Sequence, residues 1–199
     1  MDKLFLIIIT HVMNVNVTQL KTFMGFDKLS AGSEVSFFDA QLVNRGMFYG
    51  TYQDNIIIIS NKLSLSFYYK DPSEFEKQLL LYAPKSDITV LTLDDRNSFY
   101  GYALIKDGVR QRVKAGTDTE VFVDVGKNLN EEDVLLQSNL IPADELDAMK
   151  KEHDANYVNK QIEYEVGKRI PIKLLTRFFG NNIDEVAETL NKILLIEYQ

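Results

Sequence analysis

Phe99-Tyr100-Gly101-Tyr102-Ala103-Leu104-Ile105-Lys106-Asp107-Gly108-Val109-Arg110-Gln111-Arg112-Val113-Lys114 places aromatic and β-branched residues on both sides of one Asp-Gly pair. Such residues fit the pleated surface of a strand, and Asp-Gly supplies the positive φ angles that a two-residue hairpin turn needs. The segment therefore predicts a hairpin with strands Phe99–Ile105 and Val109–Lys114. Ile88–Leu93 before it and Val121–Val125 after it read as further strands of the same sheet. Met47–Tyr52 and Ile56–Ser60, separated by Gln53-Asp54-Asn55, predict a second hairpin. Leu63-Ser64-Leu65-Ser66-Phe67 alternates strictly and reads as one more strand, so that the pattern is strand-like from Val35 to Tyr69. Leu4–Ile9 is apolar at every position, as a strand covered on both faces would be.

Helical signals surround these strands. Leu20, Phe23 and Met24 predict a short helix over about Thr18–Phe26, and residues 27–34 read as a loop. Asp71-Pro72-Ser73-Glu74 predicts a helix start with Asp71 as cap, with Phe75, Leu79 and Tyr82 buried and Pro84 as the stop. After residue 129 helices dominate: one capped near Asn130–Asp133, one from Pro142 to about Tyr157, and one from Pro171 to Phe179 after a break at Gly167–Pro171. Ile183, Val186, Ala187, Leu190, Ile193 and Leu194 give a last helix its apolar stripe. The expected architecture is α+β, a single domain over 1–199. It has a largely antiparallel sheet covered by helices, sheet-rich over 1–127 and helical over 128–199, with a C-terminal helical layer.

Composition narrows function more by exclusion than by assignment. The 199 residues include no Cys and two His, which excludes disulfide frameworks, thiolate zinc sites and cysteine nucleophiles. With 22 basic and 29 acidic residues the net charge is −7, the wrong sign for a nucleic-acid footprint. Lys168, Arg169, Lys173 and Arg177 form the one C-terminal basic concentration and fit the solvent face of a helix pair equally well. The apolar run Leu4–Ile9 is short for a signal peptide and no run approaches a membrane span, so the chain is expected to be cytoplasmic, with no membrane partner. Phosphate-cradling glycine loops, zinc helices, EF-hand loops and the nucleophile elbow are absent as motifs, and no catalytic residue, metal or cofactor is expected.

Three constellations remain. Arg110, Arg112 and Lys114 are expected on one face of the strand, where they could grip a carboxylate or phosphate or simply charge a solvated edge strand. Asp94, Asp95, Asp118, Glu120, Asp124, Glu131, Glu132 and Asp133 offer acid/base or cation chemistry, but also suit turns and a helix N-terminus. His11 follows the first strand without a partner residue nearby in sequence. Arg110, Arg112, Asp124 and Glu131 are the candidate ligand-binding set. Tyr49, Tyr52, Phe67, Tyr68, Tyr69, Tyr100 and Tyr102 crowd the strands, where they serve a core or, if left exposed, a partner surface.

Phe99–Arg112, followed by the acidic segment Val123–Glu132, resembles a stretch in an uncharacterised bacterial protein family. The resemblance spans about residues 99–132 and implies a bacterial origin and one compact domain. It implies no activity and no site residue. The resulting expectation is a non-catalytic module that binds another protein, with a basic partner suggested by charge complementarity, in the manner of an immunity or adaptor protein. The alternative is an enzyme or small-ligand binder that recognises an anionic group through the Arg110/Arg112 face.

Overall fold

The computed structural model describes residues 3–10, 17–25, 28–43 and 46–198; His11 lies outside them. The centre is β1 (Lys3–Ile9), whose residues from Leu4 to Ile9 are all buried. It pairs antiparallel with β4 (Asn55–Ile59) on one side and β5 (Ile88–Asp94) on the other. The other strands are β2 (Ala31–Ser36), β3 (Met47–Tyr52), β6 (Phe99–Lys106), β7 (Val109–Gly116), β8 (Val121–Gly126) and β9 (Leu194–Tyr198). They form one sheet in the order β2-β9-β3-β4-β1-β5-β6-β7-β8, antiparallel throughout. The uninterrupted apolar pattern of β1 follows from burial on both faces.

Helices cover both faces. The first face carries Leu4, Leu6, Ile8, Leu91, Tyr100 and Tyr102 beneath α2 (Phe37–Leu42), α5 (Asn130–Leu136), α7 (Ala155–Phe179) and α8 (Ile183–Asn191). The second carries Ile7, Ile9, Ile58, Val90, Ala103 and Val113 beneath α1 (Val17–Phe23), α3 (Asn61–Leu65) and α4 (Glu74–Tyr82). α6 (Ala143–Glu152) buries none of its residues and rests on α7. Both hairpins form as expected: Asp107 and Gly108 take φ of 49° and 74°, and Gln53 takes 51°. This is an α+β fold.

Several local expectations give way to packing. Leu63–Phe67 is not a strand; α3 occupies Asn61–Leu65, and Ser66 Oγ donates to Leu63 O at 2.6 Å. Five alternating residues also fit one helical turn, and serines that bond locally to backbone favour the turn. The expected loop at 27–34 contains most of β2. Within the stretch read as strand-like, Ser36 caps α2 by accepting from the Asp39 N–H at 3.1 Å. The cap of α4 is Ser73, which accepts from Glu76 N at 3.2 Å, so Asp71 and Pro72 precede the helix.

The helical region is also divided differently. Asp154 caps α7 through Tyr157 N at 2.8 Å, so the helix expected from Pro142 to Tyr157 ends at Glu152. α7 then runs 25 residues through Gly167 and Pro171 without a break. These two lie four apart, so the bond lost at Pro171 is the one from its missing N–H to Gly167 O. The buried stripe Val166, Gly167, Ile170 and Leu174 holds the helix together across it. Finally, the chain does not end in helix: residues 194–198 form β9, inserted between β2 and β3 beside the N-terminal strands.

Gly167 is required by contact. A Cβ there would stand 2.3–2.6 Å from atoms of the Tyr100 ring, which is itself fully buried. In an open helix Gly167→Ala would stabilise by up to about 1 kcal/mol. Here overpacking reverses the sign, and the substitution is expected to cost about 1–3 kcal/mol in chemical denaturation. A gain in stability would contradict the packing of α7 on Tyr100.

Candidate functional site

The two arginines of the hairpin do not share a face. Leu104 pairs with Arg112 and Ile105 pairs with Arg110, so Gln111 is an extra residue in β7. Such a bulge inverts the parity of the strand beyond it. Arg110 therefore turns to the second face and Arg112 to the first. The candidate set is split by this one residue.

On the second face Arg110 donates from Nε to Glu76 Oε1 at 2.7 Å and from a terminal nitrogen to Glu76 Oε2. It also donates to the carbonyls of Tyr69 at 2.7 Å, Lys70 at 3.1 Å and Phe67 at 3.3 Å. One guanidinium thereby joins β7, α4 and the segment leaving α3. Glu76 is fully buried at the start of α4, placed there by its N–H bond to the Ser73 cap.

On the first face Arg112 is fully buried. It makes a two-pronged pair with Glu132, Nε to Oε2 at 2.8 Å and a terminal nitrogen to Oε1 at 2.7 Å, and it also binds Asp124. Weaker bonds run to Val125 O and Gly126 O, each at 3.3 Å, and to Asn128 Oδ1 at 3.3 Å. Glu132 Oε2 also accepts from Leu129 N at 2.8 Å, so the carboxylate that grips Arg112 also starts α5. Lys114 pairs with Glu163 of α7 and stands 3.5 Å from Asp124 Oδ2. Burial alone would pull the Arg112 guanidinium down; the carboxylates of Glu132 and Asp124 outweigh it and hold the pKa above its ordinary value. The Tyr100 and Tyr102 hydroxyls are pushed up, first by burial and then by carboxylates, Glu163 foremost at Tyr100 and Glu132 at Tyr102.

Of the four candidate ligand-binding residues, the structure brings Arg112 and Asp124 together. Arg110 is on the opposite face, and Glu131 turns away to pair with Arg177 of α7 at 3.0 Å. Glu132, weighed only among the carboxylates, and Lys114 complete the network with Glu163. Glu163 had a legible signal: it is an acid in line with Val166, Ile170 and Leu174 on the buried stripe of α7. The guanidiniums are thus occupied by the protein's own carboxylates, which leaves the anion-gripping arrangement without free donors. Lys168 and Arg169 are likewise paired with Glu165. Among the described residues no group of three or more His, Cys, Asp or Glu could hold a metal ion.

Among the concave features of the described residues, two are lined largely by apolar side chains. A cavity of about 710 Å³, lined by Met24, Leu29, Met47, Ser60, Leu63 and Tyr198, lies beside β3 and β9, five strands from β7. A groove of about 410 Å³ lies at the β8 end of the second face. There Tyr68, Phe99 and Phe122 form a row with ring centroids 6.0 and 6.2 Å apart. Phe122 is 52% exposed and Tyr69, flanking the row, 60%. Gly101 lets Tyr68 lie flat on β6, since a Cβ would meet its ring at 2.6 Å, and Tyr68 Oη donates to Thr92 Oγ1 at 2.9 Å. Of the seven aromatics expected on the strands, Tyr49, Phe67, Tyr68, Tyr100 and Tyr102 are buried, Tyr52 is half-buried and Tyr69 is left to solvent, and Phe122, outside that set, is exposed as well.

No protein-family model, no curated protein and no solved structure matches this chain. No helix among the described residues is long and apolar enough to cross a membrane.

Arg112→Met is expected to cost about 3–5 kcal/mol in chemical denaturation, because it strands Glu132 without a partner. The double variant with Glu132→Leu should lose less than the sum of the two single changes. A single-variant cost below about 1 kcal/mol, the range of a surface pair, would contradict an internal brace.

Proposed function

We propose that the chain is a non-catalytic protein-binding module of the adaptor or immunity type, and that it meets its partner through the aromatic rim at β8. The observation that carries this reading is exposed Phe122, stacked on half-buried Phe99, with exposed Tyr69 and Leu65 beside it. Exposed aromatics gathered on a well-ordered scaffold are the usual anchors of protein interfaces, and they cost solubility when they serve nothing. The scaffold beneath them is held by Arg110, which fixes the carbonyls of Phe67, Tyr69 and Lys70. The net charge of −7 favours a basic partner. The reading includes a bacterial origin, supported by the resemblance in residues 99–132, and a cytoplasmic location.

The alternative, an anion site made by Arg110 and Arg112, loses its support because the two guanidiniums lie on opposite faces and are each paired internally. Phe122→Ser and Tyr69→Ser, both at exposed positions, are expected to leave thermal stability nearly unchanged. Each should remove the stoichiometric protein captured by the tagged chain from lysate of its own organism, with about 2 kcal/mol lost when affinity is measured with that protein. Capture that is indifferent to both substitutions would overturn the reading.

A further inference from the structure

The two sides of the β8 edge differ in chemistry, and that difference specifies a ligand. β8 ends the sheet: among the described residues it is hydrogen-bonded to β7 alone, and no described helix packs along it. Its alternate N–H and C=O groups therefore face outward, as on any edge strand. A second bulge shapes this edge. Ala115 pairs with Val123 and Gly116 with Val121, which leaves Phe122 as the extra residue. The bulge turns Phe122 onto the same face as Val123, over Phe99, and leaves Val123–Val125 as the stretch in regular register on β7.

On the first face the same edge carries carboxylates. Asp124 is 48% exposed and Glu163 37% at their side chains, and Glu120 is exposed at the turn into β8. In the network beneath them three carboxylates, Asp124, Glu132 and Glu163, face two cations, Arg112 and Lys114, so one negative charge is left over at the rim. The imbalance extends through the chain. Residues 1–117 hold 13 basic and 12 acidic side chains, net +1, whereas residues 118–199 hold 9 and 17, net −8. The whole negative charge of the protein thus belongs to the part that contains β8 and the long helices of the first face.

From this we infer that the β8 edge binds an extended segment of a partner protein by strand addition, and that the segment alternates apolar and basic residues. It rests on the reading of the chain as a protein-binding module and names the ligand of that rim. Apolar side chains of the added strand lie against Phe122, Phe99 and Val125 on the second face. Basic side chains, pointing the opposite way by the pleat, reach Asp124 and Glu163 on the first. A second copy of this chain is a poor occupant, since it would bring two acidic rims together.

The test uses the full chain and fluorescent peptides of alternating lysine and valine, alternating glutamate and valine, and a lysine/valine peptide carrying central prolines. Binding is read by anisotropy, with backbone chemical shifts as the map. The lysine/valine peptide is expected to bind and to shift Val123–Val125. Binding should be at least about tenfold weaker for the glutamate peptide, where like charges meet, and lost for the proline peptide, which cannot pair. Phe122→Ser should weaken it, and raising salt from roughly 50 to 300 mM should weaken it further. No binding of the lysine/valine peptide, equal binding of the glutamate peptide, or shifts confined to β2 at the other edge would each overturn strand addition at β8. The two proposals fail separately: a lysate partner that depends on Phe122 while no peptide binds would sink strand addition and leave the module reading standing. A partner indifferent to Phe122 would sink the reading on which both rest.

Discussion

The two-pronged pair between Arg112 and Glu132 is the contact on which the first helical layer depends. A guanidinium with no exposure has to satisfy its donors internally, or its burial would cost several kcal/mol. Glu132 meets that demand at 2.7 and 2.8 Å while its own carboxylate organises the first turn of α5. Asp124 of the adjacent strand and Glu163, through Lys114, bring β8 and α7 into the same network. Buried ion pairs are weak sources of net stability against an apolar alternative of the same shape. Their geometry ties α5 and α7 to β7 at particular atoms.

The bulge at Gln111 gives the second helical layer a brace of its own. By changing the parity of β7 it sends Arg110 to Glu76 and the carbonyls after α3. Two basic residues two apart in sequence thereby tie opposite layers to one strand. The bulge at Phe122 follows the same rule with a different result, since there the extra residue turns an aromatic ring outward onto the rim. Irregularities in two neighbouring strands thus separate the charged interior of this end of the sheet from its apolar surface.

The fold was legible where local chemistry and tertiary demand agree. Asp107-Gly108 is a turn by its own backbone preferences, and Leu4–Ile9 can only be covered on both faces. It was illegible where packing outweighed propensity. Pro171 is a helix breaker by rule, yet a buried stripe on both sides of it outweighs one missing hydrogen bond. Leu194 continues the apolar stripe of α8, yet it opens β9, which pairs with β2 on one side and β3 on the other. The site was legible in its residue types and not in its geometry. Arg110, Arg112, Asp124 and the neighbouring acids were visible as a set, but parity arguments assume an unbroken strand and a single inserted residue defeats them. Exposure of Tyr69 and Phe122 is a tertiary property that no local pattern carries.

The resulting picture assigns the charges of the hairpin to the interior and the recognition chemistry to the rim. The most direct measurement is the NMR signal of the arginine side-chain Nε–H groups during titration with inorganic phosphate. Arg110 and Arg112 should each give a resolved, slowly exchanging signal that phosphate leaves in place, since both Nε–H groups are bonded to buried carboxylates. Rapidly exchanging signals that move together as phosphate is added would show free guanidiniums on one accessible face, and would contradict the account at its foundation.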